Sequence, residues 1–236
     1  MKKTEKLLRR GIVIAGELLT GATIISIINS SDWERLLLAF GTLLFVLVPE
    51  LLERLFRCRI NTVLYIAAVL YALGPMMGHC WMLYYTIPFW DKLLHICGGL
   101  MFAVLGVFLF QLMSRKNAAH LPAVAFALSF SIAIAVVWEF LEYGADVFLG
   151  MNMQSDTLVR EINSYLLGTE MGTTGSISPI AAVSVNGMPL SLDGYLDLGI
   201  HDTMLDMLLE SLGALVTCTA IYLDNGKHSL IVSRKA

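Results

Sequence analysis

Residues 122–143 read PAVAFALSFSIAIAVVWEFLEY, and the first charged side chain in that run is Glu139. An uncharged stretch of this length suits a membrane: a helix rising about 1.5 Å per residue needs about 20 apolar residues to cross ~30 Å of hydrocarbon. Five more blocks of the same kind stand at residues 11–28, 36–52, 61–80, 93–113 and 204–223. The sequence therefore predicts an all-α integral membrane protein, a single membrane domain of about six transmembrane helices. Composition agrees, with 57% hydrophobic residues, 15% charged and a mean hydropathy of +0.72; a soluble domain carries about a quarter charged residues. Lys2, Lys3, Lys6, Arg9 and Arg10 precede the first block. That block is too long for a signal peptide and no small-residue cleavage site follows it, so it reads as a retained span. Cys58, Cys80, Cys97 and Cys218 are scattered. They read as ordinary span residues, with a Cys80–Cys97 pair as a remote alternative. The net charge is −3 and no basic tract points to nucleic acid.

Basic residues set the expected orientation. With the N-terminus in the cytoplasm, 13 of the 16 Lys and Arg residues fall on that side, and only Arg35, Lys92 and Arg160 fall outside. Both termini and the loops at 54–59 and 115–120 are then cytoplasmic, and the long connection 144–201 is extracytoplasmic. That connection is expected to form a small cap, because structureless loops of its length are uncommon; a plain spacer is the alternative. Within it, Leu158, Ile162 and Leu166 predict an amphipathic helix over Ser155–Leu167. Val183–Leu192 predicts a hairpin turning at Asn186-Gly187, with Pro189 weakening its second strand.

Ionisable side chains inside spans are costly, and they usually face a protein interior or a cavity. Here they gather at one level. Asp91 and His95 are four residues apart at the start of span four; Glu139 and Glu142 are three apart at the end of span five, with Asp146 beyond; Asp202 and Asp206 are four apart at the start of span six, with Glu210 a turn deeper. Such spacings put side chains on one helix face. His95, Glu139, Glu142, Asp202 and Asp206, with Asp91 beside them, are thus the candidate site. Five carboxylates face one imidazole and Lys92, and no arginine lies in these spans. Carboxylates in a low dielectric take up protons or find cations. Oxygens with one imidazole suit a divalent metal such as Mg, Mn or Zn. A purely structural role also accounts for Asp91 and Asp202, since helix N-termini favour negative charge. His79, His201, Glu17 and Glu50 are weaker candidates. Gly74-Pro75 is expected to kink span three. Trp81, Tyr84, Tyr85, Phe89 and Trp90 read as interfacial anchors, Trp138 as a packing residue with support of Glu139 as the alternative, and Gly98-Gly99 with Gly213-Ala214 as places of close helix approach.

The ordered set Asp91-Lys-Leu-Leu-His95 with Gly98-Gly99, then Trp138-Glu139-Phe-Leu-Glu142-Tyr143, then Asp202-Thr-Met-Leu-Asp206-Met207 with Gly213-Ala214 resembles the YjdF-like group of bacterial inner-membrane proteins. More loosely it is similar to VanZ-like proteins, associated with glycopeptide resistance, in the Asp-Lys-x-x-His opening and the acidic entry to the last span. The likeness runs from about Asp91 to Ala214, and Glu210 lies outside its pattern. It implies a multi-spanning protein of the bacterial plasma membrane and supplies no reaction. Three functions follow as expectations: a metal-dependent protein acting on an envelope lipid or its headgroup, with Glu139 or Asp206 as base; a proton- or cation-coupled transporter; and a non-catalytic membrane scaffold.

Overall fold

The structure is a computed structural model, and it describes residues 3–30, 32–114, 120–224 and 231–234. The loop at 115–119 and most of the C-terminal tail, to which the orientation assigns basic residues, lie outside the described residues. Among the described residues, six helical segments are long and apolar enough to span a membrane: Lys3–Ile27, Trp33–Leu55, Thr62–Cys80, Trp90–Met113, Leu121–Leu149 and Ile200–Asp224. They match the six blocks in order, and they mainly extend them at the ends.

Local chemistry sets the helix limits. Helix α1 covers Lys3–Ile27. Helix α2, Trp33–Phe45, starts where the Asp32 side chain accepts the Arg35 N–H at 3.1 Å, an N-cap on a first turn that also carries Glu34. The second span then breaks at Val46–Leu47 and resumes as α3, Val48–Leu55, with Pro49 in its first turn. Proline has no N–H to lose there. Strand β1, Cys58–Ile60, follows. Helix α4, Thr62–Cys80, is capped by Asn61, which accepts the Val63 N–H at 2.9 Å. A short helix α5, Leu83–Thr86, leads into α6, Trp90–Met113. Helices α7, His120–Leu149, and α8, Ile200–Asp224, flank the long connection.

The chain divides into two compact units, residues 1–135 with 209–236, and residues 136–208. In the first unit, α1, α2 and α4 pack together around Ile24, Ala39, Val46, Tyr65, Val69, Leu73 and Met76. A second cluster of small and medium side chains, Ala103, Val107, Ala127, Ala214 and Cys218, joins α6 to the parts of α7 and α8 that belong to this unit. Lipid tails are as apolar as leucine, so helices in a bilayer associate through close packing of small residues. Gly99 lies against the Glu210 carbonyl, Gly213 against the Ile96 carbonyl and Gly106 against the Ala127 backbone. Both Gly pairs expected at close approaches thus include a residue pressed on a neighbouring backbone. The last strand of this unit, β8 at Ile231–Arg234, pairs antiparallel with β1.

In the second unit the connection is a β-rich cap, and one expectation fails. Residues 155–167 form no helix: β2, Thr157–Val159, pairs with β7, Tyr195–Asp197, and β3, Ile162–Ser164, pairs with β4, Gly175–Ile177. A 3-10 turn at Tyr165–Leu167 completes the segment. Leu158 and Leu166, meant for the buried face of a helix, are exposed. The three-residue strands find backbone partners far along the chain, and a short helix with an exposed apolar face would not outweigh those ladder bonds. The hairpin forms as expected. Strand β5, Val183–Val185, pairs with β6, Met188–Leu190, across Asn186 (φ 51°) and Gly187 (φ 79°). Two positive φ values in succession are what a type I′ turn needs, and Asn-Gly supplies them at low cost. Pro189 is accommodated within β6.

Candidate functional site

His95 sits one turn into α6 with its side chain 7% exposed, and both ring nitrogens face carboxylates of the first unit. Asp91 Oδ1, four residues earlier on the same helix, is 3.7 Å from Nε2. Glu210 Oε2, on α8, is 3.6 Å from Nδ1. Both separations exceed hydrogen-bond length. Asp91 is partly held by Lys92, whose Nζ is 3.1 Å from Oδ2. Glu210 is buried, and its Oε1 has no hydrogen-bond partner among the described residues. Packing of Gly99 against the Glu210 backbone brings α6 and α8 close at this level, and the Tyr71 hydroxyl and the Glu210 carboxyl both flank Gly98. A side chain at position 98 or 99 would push these groups apart.

Glu210 is the residue that sequence reasoning left out of the candidate set. Its signal was visible: Asp202, Asp206 and Glu210 recur every four residues, one stripe along α8. All three are buried.

The second unit holds the other candidates, and three of its acids, Asp146, Asp197 and Asp202, have backbone partners. Asp146 accepts the N–H groups of Met153 and Gln154 at 2.6 and 2.9 Å, closing the turn after α7. Asp202 Oδ2 accepts the Ser155 N–H at 2.9 Å, and Gln154 Nε2 donates to Thr203 Oγ1 at 2.5 Å. The start of the cap is thus tied to α7 and α8 at once. Asp197 accepts the His201 N–H at 2.7 Å, and the His201 side chain is exposed, as a loop-end residue would be. Glu139, Glu142 and Asp206 are buried. Trp138, read as packing, instead donates its indole N–H to Glu142 Oε1 at 2.7 Å. It supports the second acid of the pair, four residues on along the helix.

The weaker candidates separate. Glu50 pairs with Arg54 one turn on; Glu17 Oε1 has no hydrogen-bond partner among the described residues. His79 lies with Asp32 and Glu34, their ligand atoms within 4.8 Å of one another. Asp32 is already the cap of α2 and is 2.9 Å from Arg35, so a cation there would compete with a guanidinium. All four cysteines are free.

Among known proteins, the model of a family described as "Predicted membrane protein (DUF2238)" matches residues 12–226. No curated protein and no solved structure matches the chain.

Proposed function

The chain belongs to this family of predicted membrane proteins, and on that premise we propose that it holds a divalent cation at His95 within the membrane and uses it on the headgroup of an envelope lipid. One observation carries the reading. An almost fully buried imidazole has a carboxylate opposite each ring nitrogen, and the more deeply buried of the two, Glu210, keeps an oxygen without a hydrogen bond among the described residues. Only one ring nitrogen ligates an ion; the other N–H is commonly held by a carboxylate that fixes the ring. Asp91, itself held by Lys92, suits that orienting role at Nε2. Glu210, with Oε1 open, suits the ligand role at Nδ1. The four-residue stripe on α8 argues for Asp206 as a further ligand. The spacing of Glu139, Glu142 and Asp202 keeps them as the remaining candidates.

Oxygen ligands with one imidazole fit Mg, Mn or Zn. Such an ion would polarise a phosphoryl oxygen or activate water, with Glu139 or Asp206 as base. Proton sharing across His95 is the second reading, because an imidazole between two carboxylates also suits a relay in a transporter.

Metal analysis of the purified protein separates them. The expected result is a bound divalent ion, a melting temperature that falls on chelation and recovers when Mg, Mn or Zn is restored, and loss of both in Glu210→Gln and Asp206→Ala. Asp91→Asn should keep the site but weaken it about 10- to 100-fold, the usual effect of removing an orienting partner. A metal-free protein indifferent to chelator, with Glu210→Gln stable, would replace the metal reading by proton sharing. Proton-coupled flux in liposomes would then support the transporter, and its absence a scaffold.

A further inference from the structure

Elsewhere in the first unit, where α1 begins and α3 ends, the helices line a half-open cavity of about 710 Å³. Six cationic side chains line it: Lys6, Arg9 and Arg10 from α1, and Arg54, Arg57 and Arg59 from the end of α3 and β1. Two acids, Glu50 and Glu53, face the same space, so the lining carries a net charge of +4. Both acids are engaged. Glu53 bonds Arg9 and also accepts the Ile60 N–H at 2.8 Å, and Glu50 bonds Arg54. Arg9 is in addition stacked 3.9 Å over the Tyr65 ring. It is buried and holds the cavity wall in place, whereas Lys6, Arg10 and Arg57 are exposed.

Arg57 has a feature of its own. It follows the cap of α3 with φ at 48°, the left-handed region. That position after a helix is normally glycine, because a Cβ is disfavoured there. An arginine stands where the backbone favours glycine, and its side chain borders the cavity.

The remaining wall is apolar and continuous with the lipid-facing side of α1. Val13 and Ile14 line the cavity. Leu7, Ile14 and Leu18 are 71%, 58% and 70% exposed, at spacings of seven and four residues that form one stripe along the helix. A cationic chamber that opens onto an apolar track suits a molecule with a phosphate at one end and hydrocarbon at the other.

We propose that this cavity is a binding site for a phosphate-bearing anion, held by Arg10, Arg57 and Lys6 against a wall fixed by the Arg9–Glu53 pair, and that it is entered from the bilayer by an anionic phospholipid. Arginine forks match phosphate oxygens in pairs, and basic pockets between membrane helices bind lipid headgroups of this charge. The proposal is independent of the His95 site and uses none of its residues.

The test uses full-length protein in nanodiscs of phosphatidylcholine, with or without phosphatidylglycerol, and follows the melting temperature and lipid retention by native mass spectrometry. Phosphatidylglycerol should raise the melting temperature and remain bound. Inorganic phosphate and glycerol phosphate, supplied to phosphatidylcholine discs, form the soluble arm and should do much less. Arg10→Gln and Lys6→Gln should each weaken retention about fivefold, the usual effect of one surface cation near anionic lipid. Arg57→Gly is the decisive variant, because it should raise the melting temperature in pure phosphatidylcholine, by relieving the left-handed arginine, while lowering phosphatidylglycerol retention. Equal stabilisation by inorganic phosphate would overturn the lipid source and leave a soluble phosphate site. Phosphatidylglycerol retention unchanged in Arg10→Gln, Lys6→Gln and Arg57→Gly, or no preference over phosphatidylcholine, would overturn the proposal as a whole.

Discussion

Gly99 has no room for a methyl group. A Cβ built there would sit on the Glu210 carbonyl and close to the Ala214 N–H, both backbone atoms that cannot rotate away. Gly99→Ala should therefore separate α6 from α8 and cost ~1–3 kcal/mol, the range for overpacking a filled interior; thermal unfolding in detergent should show a drop of several degrees. Gly21, half-buried in the later part of α1, has nothing within 4 Å of its Cβ position. Gly21→Ala should be neutral or stabilise by up to about 1 kcal/mol, because glycine is the poorer helix former. A similar fall for both variants would mean that the loss at position 99 reflects general fragility and not the contact. The pair also bears on the cation reading, since Glu210 reaches His95 from the backbone that Gly99 admits. Gly99→Ala should lower metal retention together with stability, and Gly21→Ala should alter neither.

At the scale of elements, the cap depends on a few carboxylates. Asp146 closes the end of α7 on Met153 and Gln154, and Asp202 secures Ser155 from α8. Losing either leaves backbone N–H groups without acceptors, at about 1–3 kcal/mol where they are shielded from water. Asp146→Ala should thus loosen the start of the cap more than the spans. Limited proteolysis should cut the variant within 150–199 sooner than the parent while the six-span core stays intact; unchanged cleavage would remove Asp146 from this role. These bonds also explain what the sequence could tell and what it could not. The spans were legible because hydrocarbon imposes a length and a composition that few other structures share. The hairpin was legible because Asn186-Gly187 encodes its own turn. The strand pairs 157–159 with 195–197 and 162–164 with 175–177 were not, because each depends on partners far along the chain. The period of Leu158, Ile162 and Leu166 was a coincidence of spacing without burial. Asp91 and His95 were legible as a pair by helical period, whereas the pairing of His95 with Glu210 joins two helices 115 positions apart along the sequence. Only the stripe on α8 hinted at it.

For the molecule as a whole, the prediction of greatest reach is its orientation in the membrane. The fold supplies a parity check that composition does not. Strand β1 follows the second span and β8 follows the sixth, and they pair antiparallel from Cys58–Arg234 to Ile60–Ile231, with a register shift between Arg59 and Ile60. Their neighbourhoods therefore lie on one side of the membrane, which requires an even number of spans between them; α4, α6, α7 and α8 are four. The Arg9–Glu53 bond places the start of the first span and the end of the second together in the same way. A missed or extra span between β1 and β8 would break the first contact, and one between Arg9 and Glu53 the second. The same count predicts the connection 150–199 on the other side, and the 13 of 16 basic residues that the sequence groups with β1 and the chain ends predict that the β1 side faces the cytoplasm. In a variant without native cysteines, Ser176→Cys should react with a membrane-impermeant maleimide in intact cells, and Arg54→Cys only after lysis. The reverse pattern would invert the protein and put the His95 site on the cytoplasmic side and the basic cavity outside. Labelling of both in intact cells would break the parity and, with it, the six-span count.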